Sequence, residues 1–456
     1  MPPLVSEAVP AMHRRAFLTH SLAGLSLPTL LAARAARGAP RRERTALIVV
    51  WLQGGASHLE TYDPKPDAPS EVRGPYGSIA TNVEGMRVSE LLPRHVRIAD
   101  KFSLLRSLSH TGFCHQQGNQ QMFTGHPELT LRIDPEHPDL MCIANHLRAD
   151  GARRLPAYVG VNPIPYLGPA YLGTARGPYA VHGDPNVEGF RVAELGRKTG
   201  NELGRMQHRH ALRLGFQQVG ASPIDPASTR AFEAFHEQAH AMLTSPEAQR
   251  AFDLELEDPR LRDRYGRNTW GQRCLMARRL VEAGVDLVTT SLDGPLCGRV
   301  GNWDDHAVNH HIFDAMKSRC LVFDQAVSAL IEDIHARGLN ERVLVVVTGE
   351  FGRTPKITYE PDSASGARQP GRDHWPAAVS LLFSGGGVSG GQVIGATNRT
   401  GADVVRRRVR VRDFLATIYR HLQIDAQRIA LTDMAGRPVP ILPEGEPIAE
   451  LVSQLG

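Results

Sequence analysis

The stretch Thr45-Ala-Leu-Ile-Val-Val-Trp-Leu52, running into Gly54-Gly55, decides the fold class. An unbroken apolar run of this length, rich in β-branched residues and closed by glycine, predicts a strand buried on both faces that delivers its C-terminal end to a loop. Four similar runs follow, at Pro156–Val161, Val285–Ser291, Val343–Thr348 and Ala377–Phe383. Amphipathic helical patterns lie between them: Cys274 to Gly284, closing on a glycine C-cap, and Ile312 to Arg337, followed by Gly338. Strands alternating with helices predict an α/β fold with a mainly parallel central sheet and helices on both faces. The helical, Arg- and His-rich segment around 200–267 reads as an insertion or cap. No repeat or long linker interrupts residues 41–456, which read as a single domain.

Composition bounds the rest. With 41% hydrophobic and 22% charged residues over 456 positions, the chain is an ordinary globular one. No run is long and apolar enough for a stable membrane span. The net charge of +4 is carried largely by residues 1–40, which hold Arg14, Arg15, Arg34 and Arg37 against Glu7, so it is no footprint of nucleic acid. Residues 12–18, Met-His-Arg-Arg-Ala-Phe-Leu, precede a mildly apolar run and the small-residue exit Ala35-Ala-Arg-Gly-Ala39. That is the pattern of a twin-arginine signal peptide over residues 1–40, implying the twin-arginine export machinery and a periplasmic or secreted location. The 5 cysteines are widely spaced and form no Cys-x-x-Cys pair, which argues against a disulfide scaffold or a thiolate zinc site.

In a parallel sheet, chemistry collects beyond the strand C-termini, and here those ends carry potential ligands. The first strand leads to Ser57, His58, Glu60 and Asp63; the strand at Val285 leads to Asn302-Trp-Asp304-Asp305-His306. The strand at Val343 ends in Thr348-Gly-Glu350-Phe-Gly-Arg353, and Gly371-Arg-Asp373-His374-Trp-Pro precedes the next. Taken singly, each cluster has a structural reading: Asp304 as a helix N-cap, Glu350 with Arg353 as an ion pair, the 371–376 segment as a surface loop. Taken together, carboxylates and imidazoles on separate loops at one sheet edge can assemble a divalent-metal site. The glycine-rich Ser384–Gly391 stretch has neither a Walker lysine nor dinucleotide spacing and reads as a flexible loop.

These motifs, in this order, resemble the bacterial family of domain of unknown function 1501, and more distantly the alkaline phosphatase and sulfatase superfamily. The resemblance runs from about Thr45 to Val452. It implies an alkaline-phosphatase/sulfatase-like fold and a metal-dependent hydrolase of phosphate or sulfate esters. Superfamily enzymes carry a hydroxyl or modified nucleophile at a helix start before a Thr-Gly. Counting back from Thr124-Gly125 lands on His115, with Asn119 where sulfatases carry arginine and Cys114 one residue off. By the same resemblance Asp304, His306 and His374 hold one ion, Glu350 with Glu60, Asp63 or His58 approaches a second, and Arg353 faces the anionic substrate. An imidazole-rich set suits zinc or manganese, as one or two ions. The implied partner is an anionic ester or a sulfated or phosphorylated polysaccharide. The departure at the nucleophile position keeps an alternative open: a secreted binding or assembly protein on a degenerate hydrolase fold.

Overall fold

The computed structural model describes residues 44–148, 153–192, 195, 204–212, 240–294, 296 and 301–452. The expected signal peptide lies outside these residues. Nine strands among the described residues form one sheet. In chain order eight of them are β1 (Ala46–Trp51), β2 (Phe102–Ser109), β3 (Tyr158–Val161), β4 (Tyr179–Val181), β5 (Leu287–Ser291), β6 (Val343–Thr348), β7 (Val379–Gly385) and β8 (Gln392–Ile394). Their spatial order is β8-β2-β7-β6-β1-β5-β3-β4, and the two-residue β9 (Val409–Arg410) pairs with β2. β1 is flanked by parallel β5 and β6, with Val49 in register with both Thr289 and Val346. Only β7 runs antiparallel, against β2 and β6.

Every residue of β1 is buried, as the unbroken apolar run requires. Successive side chains alternate between faces. Ile48 and Val50 join Val345 and Val347 under two long helices, α3 (Thr269–Glu282) and α4 (Ile312–Ala336), through Leu275, Phe323 and Leu330. Leu47, Val49 and Trp51 face the other way, against Phe123 of α1 (His115–Thr124), Ile143 of α2 (Leu140–Leu147) and Phe414 of α5 (Val411–His421). Two cores on opposite faces of one sheet are what the run of Val and Ile anticipates.

Two features differ from the expectation, and a third fills it in. β2 is not an unbroken apolar run, because Ser103, Arg106, Ser107 and Ser109 interrupt it, yet Leu104, Leu105 and Leu108 are fully buried. The Ser384–Gly391 stretch is not simply a loop: β7 extends to Gly385, and Gly385, Gly386 and Gly387 follow one another at positive φ in a tight turn toward β8. A Cβ on Gly385 would lie 2.4 Å from the Val343 carbonyl, so close strand approach requires glycine there. In the helical segment around 200–267, residues 204–212 are helical, and helices Pro246–Phe252 and Pro259–Tyr265 bury Phe252 and Tyr265 in the α3/α4 core. Its described C-terminal part is therefore packed core, while residues 213–239 lie outside the description.

Candidate metal centre

The parallel topology sends β1, β2, β5 and β6 to the same edge of the sheet, and β7 starts there. Each contributes one piece of a cluster. β2 runs into His110 and then α1, whose first residue is His115. β5 is followed by the 302–306 loop, and β6 by Gly349 and Glu350. His374 sits on a two-residue strand, His374–Trp375, that pairs antiparallel with Gly352–Arg353 just after β6. Glycine permits the loops to approach this closely. Gly54 has φ +106°, and a Cβ on it would lie 2.5 Å from the Asp304 amide nitrogen. A Cβ on Gly371 would lie 2.0 Å from the Ala307 amide nitrogen.

Asp304 is the hub. Its Oδ1 lies 3.2 Å from His306 Nε2 and 3.2 Å from His374 Nε2, and those two nitrogens are 3.0 Å apart. A tetrahedral ion with ligand bonds of 2.0–2.1 Å needs ligand–ligand edges of about 3.3 Å, so this triangle matches one face of such a tetrahedron. His115 Nε2 lies 3.4 Å from the other oxygen, Oδ2. The ligand atoms of His115, Asp304 and His374 also fall within 4.8 Å of one another, so His115 stands at the edge of the same cluster.

Each imidazole is oriented through its other nitrogen. His306 Nδ1 donates to Asp373 Oδ1 at 2.8 Å, His374 Nδ1 to the Phe113 carbonyl at 2.8 Å, and His115 Nδ1 to Glu350 Oε1 at 2.8 Å. Holding all three Nδ1 atoms as donors turns the three Nε2 atoms toward Asp304, the arrangement by which outer carboxylates and carbonyls orient metal-binding histidines. A divalent cation fits this donor set.

The electrostatics follow the same geometry. Burial works to raise the Asp304 pKa, but hydrogen bonds from His115, His306 and His374 and the charge of Arg353 hold the carboxyl well below the usual range. Burial opposes charge on His115 too, yet bonds to Asp304 and Glu350 push its pKa up to about 9. His306 is raised, chiefly by its bond to Asp304, and His374 is lowered, chiefly by burial.

The remaining expected site residues are placed differently. Arg353 is fully buried rather than facing outward. Its Nε donates to the Gly55 carbonyl at 2.9 Å, its Nη1 to the Arg372 carbonyl at 3.1 Å, and its Nη2 to the Gly54 carbonyl and, at 2.7 Å, to Asp304 Oδ1. It braces the loops and Asp304 and leaves no fork for a substrate. Arg353 thus pairs with Asp304, not with Glu350 as the simple ion-pair reading has it. Glu350 is fully buried and accepts from His115 and, at 2.8 Å, from the Gly54 amide. Glu60 and Asp63 are not brought beside it. Glu60 accepts from the buried Arg372 at 2.7 Å, and Asp63 accepts from Lys65 at 2.9 Å and from the Thr397 hydroxyl. Buried His58 bonds the Gly401 carbonyl at 2.9 Å. The 57–63 segment is held by these partners, Arg372, Lys65, Thr397 and Gly401, and not by the cluster. Asp304 does not cap α4; His311 does, accepting from the Asp314 amide.

The sequence reading did not assign Asp373 a role, although it stands beside His374 in Gly-Arg-Asp-His. Asp305 turns away from Asp304 into the interior, where it pairs with buried Arg319 and accepts from His310 Nε2 at 2.7 Å. The described cysteines, Cys114, Cys142, Cys274 and Cys320, are free.

Among solved structures, the sulfatase PsFucS1 from Pseudoalteromonas sp. is 12% identical with a TM-score of 0.36, over 91% of this chain and 73% of that one. An alkaline phosphatase superfamily protein from Vibrio parahaemolyticus is 12% identical with a TM-score of 0.37, over 86% and 69%. The phosphonate monoester hydrolase of Agrobacterium radiobacter is 12% identical with a TM-score of 0.35, over 90% and 77%. Comparison with curated proteins finds no match. Residues 44–452 match the family model described as "Protein of unknown function (DUF1501)", and the chain belongs to that family.

Proposed function

We propose that the chain is an exported, metal-dependent hydrolase of phosphate or sulfate esters. The observation that carries this reading is the convergence of Asp304, His306 and His374 into a triangle with edges of 3.0 to 3.2 Å, each histidine locked by an acceptor on its other nitrogen. These residues would hold one divalent cation, zinc or manganese. Bound there, it would supply Lewis-acid stabilisation of charge on an ester oxygen.

The chain's own residues do the rest. Asp373 and the Phe113 carbonyl keep His306 and His374 aimed, Arg353 braces Asp304, and Glu350 presents His115 at the reacting centre. The ester class rests on the motif resemblance. A sulfated or phosphorylated polysaccharide would carry such esters, and the twin-arginine segment at Arg14-Arg15 supports periplasmic or secreted delivery through the export machinery. Among the described residues no helix is long and apolar enough to cross a membrane.

A second reading, a secreted protein that binds an anionic ligand without turning it over, is favoured by one observation: Arg353 is fully buried, with four bonds to carbonyls and Asp304, and presents no open fork to a substrate. Metal analysis of the purified chain, followed by assays on aryl phosphates and aryl sulfates, separates the two. One ion per chain, with ester turnover abolished in His374→Ala, supports the hydrolase. Bound metal with no turnover of any ester supports the binding protein. Absence of bound zinc or manganese sinks both.

A further inference from the structure

We propose that His115 is the covalent nucleophile of this centre and not a fourth metal ligand, so that a phosphate ester is cleaved through a phosphohistidine; the inference rests on the hydrolase reading. Asp304 keeps its two oxygens apart in function. Oδ1 closes the triangle with His306 and His374 at 3.2 Å each, while Oδ2 alone faces His115, at 3.4 Å. Three protein ligands would leave a position open, as catalytic sites do, and His115 Nε2 lies on the free-oxygen side of Asp304.

Glu350 is the group that makes this imidazole a nucleophile. It is fully buried, its Oε1 accepts from both His115 Nδ1 and the Gly54 amide at 2.8 Å, and its Oε2 has no partner. In the neutral ring a carboxylate so fixed keeps the proton on Nδ1 and the lone pair on Nε2, and it stabilises the cation that forms when Nε2 is substituted. His115 is also the first residue of α1, a helix of 10 residues, where unpaired backbone N–H groups favour negative charge. Among the described residues the hydroxyl and thiol nearest His115 in sequence are both engaged. Thr111 Oγ1 is bonded to Gln121 Oε1 at 3.2 Å, and Cys114 Sγ donates to Gln117 Oε1 at 3.5 Å.

In the step, the Nε2 lone pair forms a bond to phosphorus as the phosphorus–oxygen ester bond breaks. The departing alkoxide takes a proton from water. The hydroxide so formed then attacks phosphorus, the nitrogen–phosphorus bond breaks with its electron pair returning to Nε2, and inorganic phosphate leaves. The Nδ1 proton remains on His115 throughout, held by Glu350.

The test uses the full mature chain loaded with zinc and mixed with p-nitrophenyl phosphate or bis(p-nitrophenyl) phosphate. Samples are quenched in alkali, which preserves a nitrogen–phosphorus bond, and the peptide containing His115 is weighed. The expected result is a phosphoryl mass on His115 that disappears on acid treatment. His115→Gly should retain one zinc per chain, lose turnover by at least about 100-fold, and recover it in part with added imidazole, which wild type does not need. Glu350→Gln should keep its zinc and accumulate the adduct more slowly, so the question stays decidable if the glycine variant does not fold. Turnover without any adduct, or His115→Gly that loses its zinc, overturns the nucleophile assignment and makes His115 a ligand. Zinc bound with no turnover of either ester refutes the hydrolase reading itself, and this inference with it.

Discussion

Replacing Arg319 by methionine removes one partner of an ion pair in which both side chains are fully buried. Arg319 Nη2 binds Asp305 Oδ1, its Nη1 binds the Asn302 carbonyl, and its guanidinium lies 4.9 Å from the Trp303 ring centre. These contacts tie the 302–306 loop, and therefore Asp304 and His306, to α4. Methionine keeps most of the volume, so the main loss is electrostatic: Asp305 is left as a buried carboxylate with His310 as its remaining side-chain partner. Leaving one member of a buried pair uncompensated costs about 3–5 kcal/mol. With an unfolding entropy of about 2.1 cal/mol/K per residue, a chain of 456 residues loses about 3–5 °C in Tm. Thermal and urea unfolding of the metal-free protein measure this directly. Asp305→Asn combined with Arg319→Met should recover part of the loss, because the orphaned charge is gone, and the double-mutant cycle should show strong coupling. A loss below about 1 kcal/mol in the single variant, or additive effects in the double, would refute the claim that this pair anchors the loop.

Two further outcomes are expected. Asp373→Asn should weaken zinc binding about 10- to 100-fold by releasing His306 from its fixed orientation, with the fold intact; titration calorimetry at constant pH measures it, and unchanged affinity would show that Asp373 is an ordinary surface carboxylate. Burial raises the Asp139 carboxyl from 3.8 to about 6 in the folded chain. The folded state therefore holds this proton more tightly, so the associated stability is present below about pH 4 and is lost as pH rises through 6, by up to about 3 kcal/mol. Asp139→Asn keeps an acceptor for the Cys142 amide and should abolish that pH dependence, leaving the variant at least as stable as wild type at pH 7.5. Equal destabilisation at pH 4.5 and 7.5 would contradict it.

How much of the site was legible depended on what kind of information each residue carries. The apolar runs at Val343 and Thr45 announce strands because burial on both faces tolerates no polar side chain, and the glycines after them announce loops. β2 hid because serines interrupt its apolar pattern, and the partner of one of them is remote: Ser103 Oγ donates to the Ser389 carbonyl across 286 positions of sequence. The loops bearing Asp304, His306 and His374 could be marked from residue type and position at strand ends. Which carboxylate serves which imidazole could not. Asp304 and Asp305 are neighbours with the same chemistry, yet one faces the cluster and the other a buried arginine.

The amino-acid sequence by itself determined the α/β alternation, the parallel sheet and the edge at which ligands gather, because periodicity and burial are local properties of the chain. Only the tertiary structure decided that Arg353 is an internal brace, that Glu60 and Asp63 pair with Arg372, Lys65 and Thr397 away from the cluster, and that Glu350 and Asp373 aim histidines. Those outcomes depend on distances between residues up to 334 positions apart, as for Asp63 and Thr397, and a distance of that kind exists only once the loops have packed.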